Sequence, residues 1–137
     1  MRSKRFDFRA SLSDLDEGLD VLHESVEELR RVLGRDAHDR ALIHLETALG
    51  EIGGNVLTHG RPRGTTRPVE YALRVHDGEA VASLVDFGPP VHEQLRREMP
   101  GHDDEDGRGI AIARSLLDEL GYERDGDLNR WRLVKRL

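Results

Sequence analysis

The sequence predicts an α/β two-layer sandwich: a mixed, mostly antiparallel sheet with helices on one face. Three observations carry that expectation. Apolar residues recur at helical spacing in three segments and alternate at strand spacing in the others, in the order β-α-α-β-β-α-β-β. Asp77-Gly78 and Gly126-Asp127 are turn pairs, each joining two strand patterns into antiparallel neighbours. The 137 residues suffice for one hydrophobic core, and no linker or internal repeat interrupts them, so 1–137 reads as a single domain.

A short strand opens the chain near residues 4–10. Ser13, with Asp16 at the third position beyond it, resembles an N-cap. Leu15, Leu19, Leu22, Val26, Leu29 and Val32 then mark the buried face of a helix over 14–33 that stops at Gly34. Asp36 restarts the pattern as a second cap, and Leu42, Leu45, Leu49, Ile52 and Val56 define a helix reaching about His59. Arg, Pro, Gly and Thr between Gly60 and Pro68 are loop chemistry. Val69 to His76 and Ala80 to Phe87 form the hairpin about Asp77-Gly78. From Gly88 to Arg108 the chain holds Pro89-Pro90, Pro100-Gly101 and the acidic run Asp103 to Asp106, with room for a short helix around 91–98. A connection that long inside a compact domain is usually functional. A third helix covers roughly Ile110 to Leu120, and a hairpin of strands over 121–125 and 129–136 closes the sheet.

Composition removes several classes of function. Hydrophobic content of 36% against 35% charged is polar for a globular domain, yet the apolar residues are periodic and can be buried together. The chain has no cysteine, which excludes disulfides, thiol chemistry and a cysteine zinc site. Its basic start runs into Phe6-Asp7-Phe8-Arg9 rather than an apolar signal core, and no apolar run reaches membrane-spanning length; the cytoplasm is the expected compartment. A net charge of −6 argues against nucleic acid as a direct partner. Arg61, Arg63 and Arg67 read as a solvated loop without an interleaved aromatic. His38, His44, His76, His92 and His102 fall on different elements and supply no i,i+4 pair with a third ligand, so no histidine metal site is expected.

Three short motifs carry chemistry. Glu51 and Asn55 lie four residues apart on one helical stripe beside the apolar face, in a turn weakened by Gly50, Gly53 and Gly54. Three glycines there call for a close neighbour. Asp86 ends an apolar strand beside Phe87-Gly88, offering an acceptor next to open backbone; buried, it suits an exocyclic amine such as that of adenine. Gly107-Arg108-Gly109 precedes an apolar helix, where backbone N–H groups and the helix dipole can hold phosphates.

In that order, Glu51-x-x-x-Asn55, Asp86-x-Gly88 and Gly107-x-Gly109 resemble the N, G1 and G2 boxes of the GHKL (Bergerat-fold) ATPases. The Asn55 to Gly60 continuation, the Gly107-Arg108-Gly109-Ile110 form and the ending Asn129-Arg130-Trp131-Arg132-Leu133 are similar to the anti-sigma-factor serine/threonine kinases. The resemblance implies ATP and Mg²⁺ as cofactors, with Glu51 as catalytic base and Asn55 as metal ligand. It implies Asp86 on the adenine amine, Gly88, Gly107 and Gly109 admitting backbone to the nucleotide, and Arg108 on a phosphate. It further implies a homodimer whose partners are a sigma factor and an anti-sigma-factor antagonist. An ATP-binding interaction module without transfer, and a detached ATPase module of a histidine-kinase system, are the alternatives. His23-Glu24 resembles the phosphoacceptor of sensor kinases, but the Arg and Pro that follow it there are absent. Pro89-Pro90 and the glycine-rich turn around Gly53 depart from the family pattern.

Overall fold

The structure is a computed structural model and describes residues 5–60, 67–90 and 105–137. The elements are β1 (Phe6–Leu12), α1 (Leu15–Leu33), α2 (Arg40–His59), β2 (Val69–His76), β3 (Glu79–Asp86), α3 (Glu105–Leu116), β4 (Glu119–Asp125) and β5 (Leu128–Arg136). The short helix expected around 91–98 lies outside the described residues. Both long helices are capped one acidic residue later than expected. Asp14, not Ser13, accepts the Glu17 N–H at 2.8 Å, and Asp39, not Asp36, accepts the Leu42 N–H at 3.1 Å. Asp36 instead folds over the His38 N–H at 2.8 Å, tightening the turn that precedes α2. A hydrogen bond from Arg35 holds the Asp39 carboxyl below its ordinary value.

The five strands line up as β1-β2-β3-β5-β4, and every described pairing is antiparallel. Asp77 (φ 51°) and Gly78 (φ 77°) are both left-handed, as a two-residue hairpin turn requires. Alternation then places Val69, Tyr71, Leu73 and Val75 of β2, Ala80, Ala82 and Leu84 of β3, and Trp131 and Leu133 of β5 on one buried face. There they meet Leu22, Val26 and Leu29 of α1 and Leu45, Leu49, Ile52 and Val56 of α2 in a single core. Helix α2 packs between α1 and α3. Glycine lets α1 and α2 approach: a methyl group on Gly18 would lie 2.5 Å from a Leu57 methyl, and one on Gly53 would strike Leu22. The close neighbour expected at the glycine-rich turn therefore exists for Gly53, whereas no described atom lies within 4 Å of that position on Gly50 or Gly54. One polar pair is sealed in this core. Ser25 Oγ donates to Leu22 O at 2.7 Å, leaving Tyr71 to donate to Ser25 across 2.7 Å.

Helix α3 begins five residues before its expected start and ends four before its expected end. Gly107 and Gly109 therefore lie inside its opening turns rather than ahead of it. Burial of Ile110 and Ala113 in the core outweighs the poor helix propensity of two glycines. At the other end, Asp118 already donates its N–H to Val134 O at 2.9 Å, and Lys135 Nζ caps the Leu116 carbonyl at 2.8 Å. The sheet captures the chain before another helical turn can form.

The end of α2 meets the end of β3 backbone against backbone. A methyl group on Gly88 would lie 2.5 Å from the Gly60 carbonyl carbon, and one on Gly60 would lie 2.8 Å from the Asp86 carboxyl carbon. Neither position has a flexible neighbour that could yield. Gly88→Ala should therefore destabilise the protein by about 1–3 kcal/mol, while Gly50→Ala, exposed within α2, should stabilise it by about 0.5–1 kcal/mol. Urea unfolding of both variants checks this; equal effects of one sign would contradict the tight junction.

Candidate functional site

The junction of α2, β3 and β5 gathers most of the expected site residues. On β3 the inward alternation that buries Ala80, Ala82 and Leu84 continues to Asp86, which is 2% exposed. Directly across the ladder stands Asn129 of β5, 1% exposed and paired in register with Asp86. Asp86 Oδ1 accepts two bonds of 2.8 Å, from the Gly88 N–H and from Asn129 Nδ2. Its other oxygen, Oδ2, faces Gly60. Burial pushes the Asp86 carboxyl above the usual carboxylate range, and the donors of Asn129 and Gly88, the Arg124 charge and Trp131 draw it partly back.

Asn129 was not expected as a site residue. Its Nδ2 also reaches the carbonyls of Gly88 and Pro89, both at 3.1 Å, while its Oδ1 accepts from Tyr122 Oη and, at 3.1 Å, from Arg124 Nη1. Arg124 Nη1 donates to Gly88 O as well, at 2.6 Å. The signal in the sequence was phase: Asn129 shares the inward parity of Trp131 and Leu133, so a polar side chain was being sent into the core.

Along α2, Asn55, Val56, His59 and Gly60 join Asp86, Asn129 and Trp131 around a pocket of about 20 Å³, room for one water molecule. One turn earlier on the same stripe, Glu51 meets α3: a methyl group on Gly109 would lie 2.7 Å from Glu51 Oε2 and 3.6 Å from Asn55 Nδ2. Gly109 thus admits helix backbone beside a carboxylate and an amide. Gly107 lies two residues closer to the start of α3, and the Arg108 side chain is exposed. Of the basic loop, Arg67 is not simply solvated, because its guanidinium sits 3.5 Å from the centroid of the Phe87 ring and 3.7 Å from Asp127. His23 pairs with Glu46 of α2 at 2.9 Å. With Glu27 these two bring one ligand atom each to within 4.8 Å of one another, a juxtaposition across α1 and α2 that the sequence did not show.

A helix-on-sheet sandwich with a buried carboxylate at a strand end, and glycine backbone beside an acid and an amide on the facing helix, defines an ATP-binding domain of the GHKL kind. The chain belongs to the histidine kinase-like ATPase domain family, whose model matches residues 15–135. No curated protein matches it. Among solved structures it is similar to the RsbU and RsbW domains of Rv1364c from Mycobacterium tuberculosis, at 18% identity and a TM-score of 0.71 over 96% of this chain and 32% of that one. It is also similar to the histidine kinase domain of the Erythrobacter litoralis EL346 blue-light activated histidine kinase (17% identity, TM-score 0.57, 85% of this chain, 63% of that one). The catalytic domain of histidine kinase ThkA gives 13% identity and a TM-score of 0.54 over 98% and 97% of the two chains. These are likenesses of fold. The chain spans about a third of the Rv1364c chain and under two thirds of the EL346 one. No helix among the described residues is long and apolar enough to cross a membrane.

The raised Asp86 pKa has a definite sign in stability. Between the ordinary carboxylate value and the raised one the native state holds the proton more tightly than the unfolded chain, so stability falls as pH rises through that window. Asp86→Asn removes the titration while keeping an oxygen for Gly88 and Asn129. Denaturant unfolding against pH should show the variant losing less stability than the parent across that window; parallel curves would refute the assignment.

Proposed function

We propose that the chain is an ATP-dependent serine/threonine protein kinase and anti-sigma factor, a cytoplasmic homodimer that phosphorylates an anti-sigma-factor antagonist. The carrying observation is the α2 stripe. The nine positions from Glu51 to Gly60, at about 1.5 Å each, span about 13 Å, so an acceptor for a base at Asp86 and a carboxylate at Glu51 are separated by about the reach of an extended nucleoside triphosphate. The likeness to a structure named for its RsbW domain supports the partner-switching reading.

The residues present fit the nucleotide and its metal. Asp86 is a buried acceptor matched to the adenine amine, and Gly88 and Gly109 leave backbone where a side chain would intrude. Asn55 carries an amide oxygen suited to Mg²⁺ among phosphate and water oxygens, and the ion when bound offsets phosphate charge. Gly107 and Arg108 at the start of α3 attend the phosphates. In the reaction the partner's serine or threonine oxygen bonds to the γ-phosphorus, the bond from that phosphorus to the ADP oxygen breaks, and the hydroxyl proton passes to the Glu51 carboxylate. A second reading, an ATP-binding interaction module without transfer, draws on Gly109 lying over Glu51, which limits access to the base.

The deciding experiment pairs nucleotide titration with single-turnover transfer from labelled ATP to a candidate antagonist. Glu51→Gln should keep nucleotide affinity nearly intact while transfer falls about 10²–10⁴-fold. Unchanged transfer in the variant would remove Glu51 as the base. A parent that binds ATP and phosphorylates no antagonist would favour the interaction module. Asn55→Ala should weaken ATP binding with Mg²⁺ more than without it; equal losses by calorimetry would leave Asn55 a structural residue.

A further inference from the structure

The network behind Asp86 has a direction, and the direction is set from the edge of the sheet. Asn129 Nδ2 and Oδ1 could exchange places by a simple flip, and the two orientations differ in what they show Asp86. Arg124 at one end and three acceptors at the other remove the choice. A guanidinium has only donors, and its Nη1 lies 3.1 Å from one end of the Asn129 amide, with Tyr122 Oη at the same end. That end must be the oxygen, so both Asn129 N–H groups face Asp86 Oδ1 at 2.8 Å and the Gly88 and Pro89 carbonyls at 3.1 Å. The same Nη1 fixes the Gly88 carbonyl directly at 2.6 Å, and Arg124 Nε holds Gly126 O at 2.9 Å, anchoring the side chain to its own hairpin. Flipped, Asn129 would set its oxygen against a carboxylate oxygen and two carbonyls, four acceptors with no proton among them.

We propose that Arg124 and Tyr122 are positioning residues that determine base specificity: by fixing the Asn129 amide they commit Asp86 Oδ1 to protein donors and leave Oδ2 to accept from a ring amine. This rests on the reading of Asp86 as the adenine acceptor. The site then selects purine nucleotides bearing an amino group at the six-position over those bearing a carbonyl, because an acceptor facing an acceptor is left unsatisfied. Arg124 and Tyr122 act without touching the base, through a residue on the neighbouring strand. Neither belongs to the three short motifs that mark the site in the sequence.

The experiment compares ATP with inosine triphosphate, which differs by a carbonyl in place of the amine, by calorimetric titration of the parent, Arg124→Ala, Arg124→Lys and Tyr122→Phe. The parent should prefer ATP by about 10-fold or more, one such factor being about 1.4 kcal/mol. Arg124→Ala should weaken ATP while leaving inosine triphosphate nearly unchanged, bringing the ratio toward one. Arg124→Lys, which keeps a charged donor, and Tyr122→Phe, which removes one of two donors, should fall between. A parent without preference overturns the adenine role of Asp86 itself. A parent with preference whose ratio survives in Arg124→Ala and Tyr122→Phe overturns the positioning role alone. Equal weakening of both nucleotides would assign the network to structure, and also overturns it. Should Arg124→Ala not fold, as its thermal melt would show, Tyr122→Phe and Arg124→Lys decide between the same outcomes.

Discussion

The backbone contact between Gly60 and Gly88 is the constraint on which the rest of the site depends. A helix end and a strand end can meet this closely only when neither carries a β-carbon, and the meeting leaves Asp86 enclosed on the inner face with one oxygen facing Gly60. Move either glycine outward and the carboxylate gains solvent. With solvent, the base selectivity proposed for it, which comes from unmet hydrogen bonding in a dry setting, would be lost. The chain turns at both points for local reasons: α2 stops at Gly60, whose N–H still bonds to Val56 O at 2.7 Å, and β3 stops where Gly88 folds back on Asp86.

Around that contact the molecule divides its labour between two kinds of support. The Asp86 end is held by hydrogen bonds among side chains and carbonyls on three adjacent strands, Asp86 on β3, Asn129 on β5, and Tyr122 and Arg124 on β4. The other end has glycine backbone in α3 against Glu51 and Asn55 of α2. An ionisable group 2% exposed is a liability to the fold, which the elevated pKa of Asp86 expresses. Natural domains keep such groups where recognition needs them.

Periodicity made the skeleton legible, and distance in sequence hid the rest. Leucine and valine at helical spacing located α1 and α2, and Asp77-Gly78 located its hairpin, because each signal is local. Asp86 and Glu51 stood out as candidates since a carboxylate next to glycine is visible within a few residues. Asn129 did not, because its meaning comes from pairing with a residue 43 positions earlier, and Arg124 was hidden for the same reason. Gly60 read as the start of a loop, although its role is to admit Asp86 and Gly88. The start of α3 was misjudged because propensity was weighed without the burial of Ile110 and Ala113 that overrides it. At the caps, Ser13 lies next to Asp14 and Asp36 three residues before Asp39, so composition alone could not separate them.

The two ends of the α2 stripe differ in what they can report. In the site proposed above, the Asp86 end would meet the ring system, which di- and triphosphate share, so spent nucleotide would be gripped there as firmly as fresh. Among the described residues, the terminal phosphate of that proposed nucleotide would be met where α3 starts and Gly109 lies over Glu51. For the proposed kinase, product retention and substrate sensing are therefore set by separate pieces of the chain. Among the described residues, a cell's ratio of ATP to ADP would then be read by the glycine-bearing helix, while the strand network would keep the nucleotide of either kind in place.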